Sequence, residues 1–286
     1  MDNILEVTGL VKRYPSFSLD NISFSLPEGC VTGFIGANGA GKTTTIRSIL
    51  GLARKNAGVV KVFGLDADAH EQEIKDRIGI VMDSSYFYND LSMKDMKSII
   101  APAYSKWSDA DYRLYMEKFE LDPKQKISTL SRGMRMKFAL VLALSHQAEL
   151  LIMDEPTSGL DPLVRSQFLE IVMDYMKNGG KGVFFSTHIT SDLDKIADYL
   201  FFLFDGQIIL QGQKDEMKEG HAVVKGDASA LPPDYENYFV GISKSAYGFE
   251  GLTDKKAALK KLLPVNTVYE VPTIEDIMLY YIRRHK

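Results

Sequence analysis

The chain has 286 residues, 34 basic against 38 acidic side chains and a formal net charge of -4, an ordinary globular composition that fits one large domain with an appendage or two modest domains. The acidic balance leaves no overall electrostatic footprint for nucleic acid. A single cysteine, Cys30, excludes an internal disulfide and a cysteine-based metal cluster, and fits a reducing compartment.

The first residues, Met1-Asp2-Asn3-Ile4-Leu5-Glu6, carry acids where a secretory signal would place a basic segment. Residues 4–7 and 19–26 read as strands; the second alternates Leu19, Ile22, Phe24 and Leu26 with polar residues, an antiparallel opening. Residues 30–35 form a short apolar strand that runs into a glycine-rich turn, and residues 43–50 follow as a helix stopped by Gly51. From Asp83 to about Glu149 the pattern is helical. Its helix starts are the capping boxes Ser92 to Asp95 and Ser108 to Asp111, and a third helix follows Ser131, the expected N-cap.

The longest apolar stretch, residues 138–153, is interrupted by His146, Gln147 and Glu149, short of the roughly 18 to 20 apolar residues of a membrane span. Strands return at residues 150–153 and 183–185 with a helix over 162–176 between them, the alternation of a parallel sheet. Residues 199–204, Asp205-Gly206 and 207–210 read as a hairpin, because Asp-Gly suits a type I′ turn. Beyond Gly220 motifs thin out. Pro232-Pro233 marks a break, followed by an expected strand at 238–242, a lysine-rich helix at 254–263 and a last helix opened by Thr273 to Asp276. The tail is either a small regulatory or dimer-stabilising domain or a flap packed on the rest.

Gly36-Ala37-Asn38-Gly39-Ala40-Gly41-Lys42-Thr43 matches the P-loop pattern G-x-x-x-x-G-K-[ST], between a strand and a helix as that motif requires. Its glycines let the backbone wrap phosphates, whose charge meets loop N–H groups and the helix N-terminus; Lys42 reaches the β and γ phosphates and Thr43 offers its hydroxyl to Mg²⁺. Residues 150–153 deliver Asp154 and Glu155 at the C-terminal end of a strand, where open α/β sheets place ligands. Asp154 is the expected Mg²⁺ holder and Glu155 the base that orients and deprotonates the attacking water. His188 closes the strand at 183–187 on the same sheet edge, with a contact to the γ-phosphate as its expected role.

In this order the elements resemble the ATP-binding cassette (ABC) family over about residues 4–219. The family's Leu-Ser-Gly-Gly-Gln signature is matched by Leu130-Ser131-Arg132-Gly133-Met134 at Ser131 and Gly133. Ser158-Gly159-Leu160-Asp161 looks like the D-loop and His188 like the switch histidine. Tyr14 looks like the adenine-stacking aromatic, with plain packing as the alternative.

Three positions depart from the pattern. Arg132 and Met134 replace Gly and Gln, and Asp83 stands where the family has its Q-loop glutamine. Asp83 either reaches Mg²⁺ through water or only links the helical insert to the core; Arg132 either adds a cation near an opposing γ-phosphate or points to solvent, the reading preferred here.

The resemblance implies an α/β fold: a P-loop NTPase core with a parallel sheet, an antiparallel β subdomain and a helical insert at about 84–149, the whole ABC ATPase domain spanning 1–219. A small α+β extension occupies 220–286. It also implies ATP bound by Tyr14, Gly36, Asn38, Gly39, Gly41, Lys42, Thr43, Thr44 and Asp161, with Ser131 and Gly133 supplied in trans by a second cassette, identical or different. Metal contacts fall to Thr43 and Asp154, with Asp83 as a further candidate, and catalysis to Glu155, His188 and Lys42.

The expected protein is the ATP-hydrolysing subunit of a bacterial transporter, cytoplasmic and peripheral on the inner face of the cell membrane, bound to a separate permease and not to nucleic acid. The variant motifs and the closing segment Pro272-Thr273-Ile274-Glu275-Asp276-Ile277 are similar to ABC-2 type exporters of antimicrobial peptides and antibiotics. The rivals are soluble ABC ATPases of DNA repair, which interpose a long coiled coil absent here, translation factors, which carry two cassettes, and a slow nucleotide-gated scaffold.

Overall fold

A computed structural model describes residues 2–82, 87–177 and 181–285. Strand β1 (Asn3–Tyr14) turns back into β2 (Phe17–Pro27), and β3 (Cys30–Ile35) leads through the glycine-rich loop into helix α1 (Lys42–Ile49). Then come β4 (Ala57–Val62), β5 (Leu65–Asp66), α2 (Glu71–Arg77) and β6 (Ile78–Met82). The helical insert holds α3 (Met93–Ile100), α4 (Asp109–Lys118) and α5 (Arg132–Ser145). The chain returns through β7 (Leu150–Asp154), α6 (Pro162–Lys177), β8 (Gly182–Thr187), α7 (Thr190–Ile196), β9 (Tyr199–Phe204), β10 (Gln207–Gln213) and α8 (Lys214–Gly220). The last part comprises β11 (Ala222–Gly226), β12 (Gly241–Ser245), β13 (Gly248–Thr253), α9 (Lys256–Leu262), β14 (Val268–Glu270) and α10 (Ile274–His285).

Three sheets organise these elements. The central one has the order β10-β9-β3-β8-β7-β6, parallel from β9 to β6 with β10 antiparallel at its edge. Its strands β7 and β8 are buried along their whole length, as expected of parallel strands covered on both faces. One face meets the antiparallel sheet β2-β1-β4-β5 across Phe24, Phe34, Phe184 and Phe201, whose rings lie 5.1–5.6 Å apart. Offset and tilted pairs of this kind add to plain area burial. The other face carries α5, α6 and α7 in one continuous apolar cluster.

Local chemistry explains most boundaries. The side chain of Ser92 accepts from Asp95 N while Asp95 accepts from Ser92 N, the reciprocal capping box. Ser108 and Ser131 cap α4 and α5 through Asp111 N and Met134 N. At the β9–β10 hairpin Asp205 and Gly206 have φ of 43° and 73°, the two left-handed residues that a type I′ turn needs. The strand expected at 238–242 lies later. Residues 235–238 close a 3₁₀ turn, and β12 begins at Gly241, where pairing with Leu252 sets the register.

The C-terminal sheet, β12-β13-β11-β14, shares the main apolar cluster. Ile274, Ile277 and Tyr280 of α10 belong with Leu193 and Ile196 of α7 to that cluster, and α10 packs on α7. His221 ties the two ends, with Nδ1 2.7 Å from Met217 O and Nε2 2.9 Å from the Tyr281 hydroxyl.

Two charged or titratable groups sit away from the loop face of the central sheet. Glu149, just before β7, accepts from Arg77 at 2.9 and 3.0 Å and pairs with Lys181 at 2.9 Å. The Arg77 bonds chiefly hold its carboxyl at about 2. His146, at the end of α5, is 1% exposed and stacks on Tyr104 at 3.8 Å, with no partner on either ring nitrogen. Burial pulls this imidazole from 6.5 down to about 4. The unfolded chain therefore takes up a proton between those values that the folded chain refuses, so stability falls as pH drops through that window, by about 3 kcal/mol in all. His146→Phe should flatten the slope in urea unfolding measured from pH 7 to pH 4. An unchanged slope would refute the burial argument.

Candidate active site

The glycine-rich loop leaves β3 and enters α1 at Gly41, which caps the helix with a φ of 111°. That φ strains any other residue, and a Cβ at Gly41 would also lie 2.6 Å from Leu19 Cδ2 and 2.7 Å from Phe17 Cζ. Ala37, Asn38 and Gly39 form the exposed tip of the loop, while Gly36 is buried and Thr44 half-buried. The backbone N–H groups of the first turn of α1 are those that a helix leaves unpaired, which suits a phosphate.

Lys42 is 5% exposed and folds back under the loop. Its ammonium donates to Gly36 O at 2.7 Å and to Ala37 O at 3.3 Å. It also lies 3.0 Å from Glu155 Oε1, at ion-pair distance. That oxygen is buried and accepts no aligned hydrogen bond, so the contact is one of charge alone.

Asp154 ends β7, 3% exposed. The Thr43 hydroxyl donates to its Oδ2 and the Ser186 hydroxyl to its Oδ1, each at 2.7 Å. A buried carboxylate served by two neutral hydroxyls is suited to a divalent cation. Among the described residues no group of three or more His, Cys, Asp or Glu could hold a metal. The Thr43 hydroxyl and Asp154 carboxylate are oxygen donors of the kind Mg²⁺ takes, since it usually binds through one or two carboxylates, waters and substrate phosphates.

Glu155 follows with a φ of 50°, and its N–H donates to Ser186 O at 2.9 Å. This bend turns the side chain toward both Lys42 and β8. His188 Nδ1 lies 2.7 Å from Glu155 Oε2, and the His188 backbone N–H donates to the same oxygen at 3.4 Å. Lys42, Glu155 and His188 thus form one chain of polar contacts at the C-terminal edge of β3, β7 and β8, beside the point where the sheet order reverses around β3.

The other predicted residues lie on separate elements, each with local contacts of its own. Ser131 and Gly133 start α5, and a Cβ on Gly133 would lie 3.4 Å from both Leu160 and Val164. Arg132 is exposed, as expected, yet its guanidinium lies over Gly159, where a Cβ would meet Nη1 at 2.7 Å. Neither expected role describes this contact with the chain's own 158–161 loop. Asp161 caps α6, its Oδ1 accepting from Leu163 N at 3.1 Å and Val164 N at 3.0 Å. Tyr14 ends β1, 45% exposed, with Lys12 Nζ 4.9 Å from its ring centre. Its cross-strand partner Phe17 touches the loop at Gly41, a contact that sequence reading missed. Asp83 lies outside the described residues.

The family described as ABC transporter matches residues 19–158. The bacitracin transport ATP-binding protein BcrA of Bacillus licheniformis is 32% identical over 222 residues, 77% of this chain and 72% of that protein. The lantibiotic transport ATP-binding protein SrtF of Streptococcus pyogenes is 29% identical over 215 residues, 74% of this chain and 92% of that one. A solved structure of an ATP binding subunit of an ABC transporter superposes with a TM-score of 0.69 at 27% identity, over 76% of this chain and 92% of that one. No helix among the described residues is long and apolar enough to cross a membrane. Likeness of this extent, joined to a phosphate-facing edge built as that chemistry requires, makes the chain a member of the ABC transporter family, an ATP-binding and ATP-hydrolysing subunit that serves a membrane permease.

Proposed function

We propose that the chain powers a bacterial exporter from the inner face of the cell membrane, with cargo of the kind named for its relatives, peptide antibiotics such as bacitracin and the lantibiotics. Two cassettes, identical or different, stack head to tail. ATP lies between the P-loop of one and Ser131 and Gly133 of the other. The observation that carries this reading is the single chain of contacts from Lys42 through Glu155 to His188, beside the Thr43–Asp154 pair.

In this scheme the loop N–H groups and Lys42 bind the β and γ phosphates, and the aromatic pair Tyr14 and Phe17 borders the base. Thr43 and Asp154 would hold Mg²⁺, which would supply charge neutralisation to the phosphates when bound. Glu155 accepts the proton of the attacking water, while His188 fixes the Glu155 carboxylate and meets the γ-phosphate. The Ser131 cap leaves α5 with an N-terminus that favours an opposing anion. The rival soluble ATPase has no support from the relatives, which are transport subunits by name. A net charge of -4 also gives no overall electrostatic footprint for nucleic acid.

The test uses the subunit with its permease in lipid vesicles. Turnover should rise on adding the permease and be lost with Ser131→Asp. That change keeps a competent N-cap while setting a carboxylate against the opposing phosphate. The ATP affinity of the isolated Ser131→Asp chain should stay unchanged. Turnover indifferent to both the permease and Ser131→Asp would sink the reading.

A further inference from the structure

Glu155 holds a left-handed backbone conformation that is unfavourable for a non-glycine residue, and such strain persists only where the surroundings over-determine it. On its N-terminal side the β7–β8 pairing supplies this, through Glu155 N to Ser186 O at 2.9 Å. On its C-terminal side the chain enters a turn in which Ser158 N donates to Glu155 O and Leu160 N to Thr157 O, each at 3.2 Å. Those bonds are local and would move with the turn. Thr157 instead reaches a different part of the chain: its hydroxyl donates to Asp192 Oδ2 at 2.6 Å.

Asp192 is fully buried and Thr157 is 1% exposed. The other carboxylate oxygen of Asp192, Oδ1, accepts from Arg165 Nε, and Arg165 Nη2 donates to Ser191 Oγ at 2.8 Å. One buried charge thus joins the turn after Glu155, the first turn of α6 and the start of α7, the helix into which His188 leads. Burying a carboxylate is costly, and an apolar residue of similar size would stabilise the fold as well or better. What the ion pair adds is geometry, because its partners come from both sides of the Glu155–His188 contact.

We infer that Thr157, Asp192 and Arg165 are positioning residues that set the distance between Glu155 and His188, and so govern turnover but not nucleotide affinity. None of them appears in the hydrogen bonds of the P-loop or of Asp154. The Glu155–His188 contact at 2.7 Å joins two loops whose side-chain tie behind the site is the Thr157–Asp192 bond. The inference rests on Glu155 as the base of ATP hydrolysis.

Steady-state ATP hydrolysis by the purified full chain, with Mg²⁺ and ATP as the probe, tests it. Thr157→Val and Asp192→Asn should lower kcat by ~10-fold or more with KM for ATP within about twofold, because a displacement of a fraction of an ångström misaligns the base without touching the phosphate cradle. Thr157→Ser, which keeps the hydroxyl, should retain the parent rate. In a Glu155→Gln background, Asp192→Asn should change the residual rate by less than about twofold, since a residue acting through Glu155 has nothing left to position.

Parent-like kcat in Thr157→Val, or an equal fold loss from Asp192→Asn with and without Glu155, would overturn the inference. A KM that rises as kcat falls would overturn it too. If Asp192→Asn does not fold, the Thr157→Val and Thr157→Ser pair carries the same test. Near-normal turnover by Glu155→Gln alone would instead remove the base, and is thereby distinguishable from a failure of the network.

Discussion

Glu155→Gln is expected to lower phosphate release by ~10²-fold or more while ATP binding is kept or tightened, the range that removal of a positioned general base gives. The amide has nearly the shape of the carboxylate, so the bend at φ 50° and the Ser186 contact survive. What is lost is the group that takes the proton. Binding is not weakened, because the carboxylate sits 3.0 Å from Lys42 Nζ and occupies the cation that phosphate needs. Removing its charge relieves that competition and one repulsion against the incoming anion. Single-turnover phosphate release and a nucleotide titration on the same preparation check both halves, and near-normal release would sink the assignment of the base.

Lys42→Ala is expected to act on the other term, weakening ATP affinity by ~10²-fold, which corresponds to about 2–3 kcal/mol for a lost charge-assisted contact in a sheltered site. Lys42 is 5% exposed and is the cation paired with Glu155 on the loop side. Its removal leaves the half-sheltered carboxylate facing the phosphates without compensation, so the loss exceeds that of one hydrogen bond. Adding Glu155→Gln to Lys42→Ala should therefore return part of the affinity, a non-additive result read in the same titration. Unchanged affinity in Lys42→Ala would contradict the cradle.

Much of the fold could be read because its signals are local. The P-loop between strand and helix, the Ser92–Asp95 box, the Ser131 cap and the Asp205-Gly206 turn each declare themselves within a few residues. The carboxylates at the end of β7 and His188 at the end of β8 were legible because a buried strand ends where polarity begins.

Features set by partners distant in sequence were not legible. The β4 and β5 strands and α2 carry no alternation strong enough to announce them, and β12 starts where Leu252 puts it. Phe17 is an ordinary strand residue until Gly41 is found under its ring. The sequence leaves Arg132 facing either phosphate or solvent, and its contact with Gly159 depends on two loops that only the fold brings together. The same holds for Thr157 and Asp192, 35 residues apart.

The packing of α10 on α7 bears on how such subunits can be divided and recombined. Motifs thin out beyond Gly220, which invites a division of the chain there. Yet Ile274 and Ile277 complete the hydrophobic cover of Leu193 and Ile196, so a cut after Gly220 opens the interior of the piece that keeps the catalytic loops. Exchanging tails between relatives is then no swap of accessories. The donor tail must bring side chains whose volumes match a helix it has never met, and the recipient's turnover would register the mismatch through the helix that follows His188.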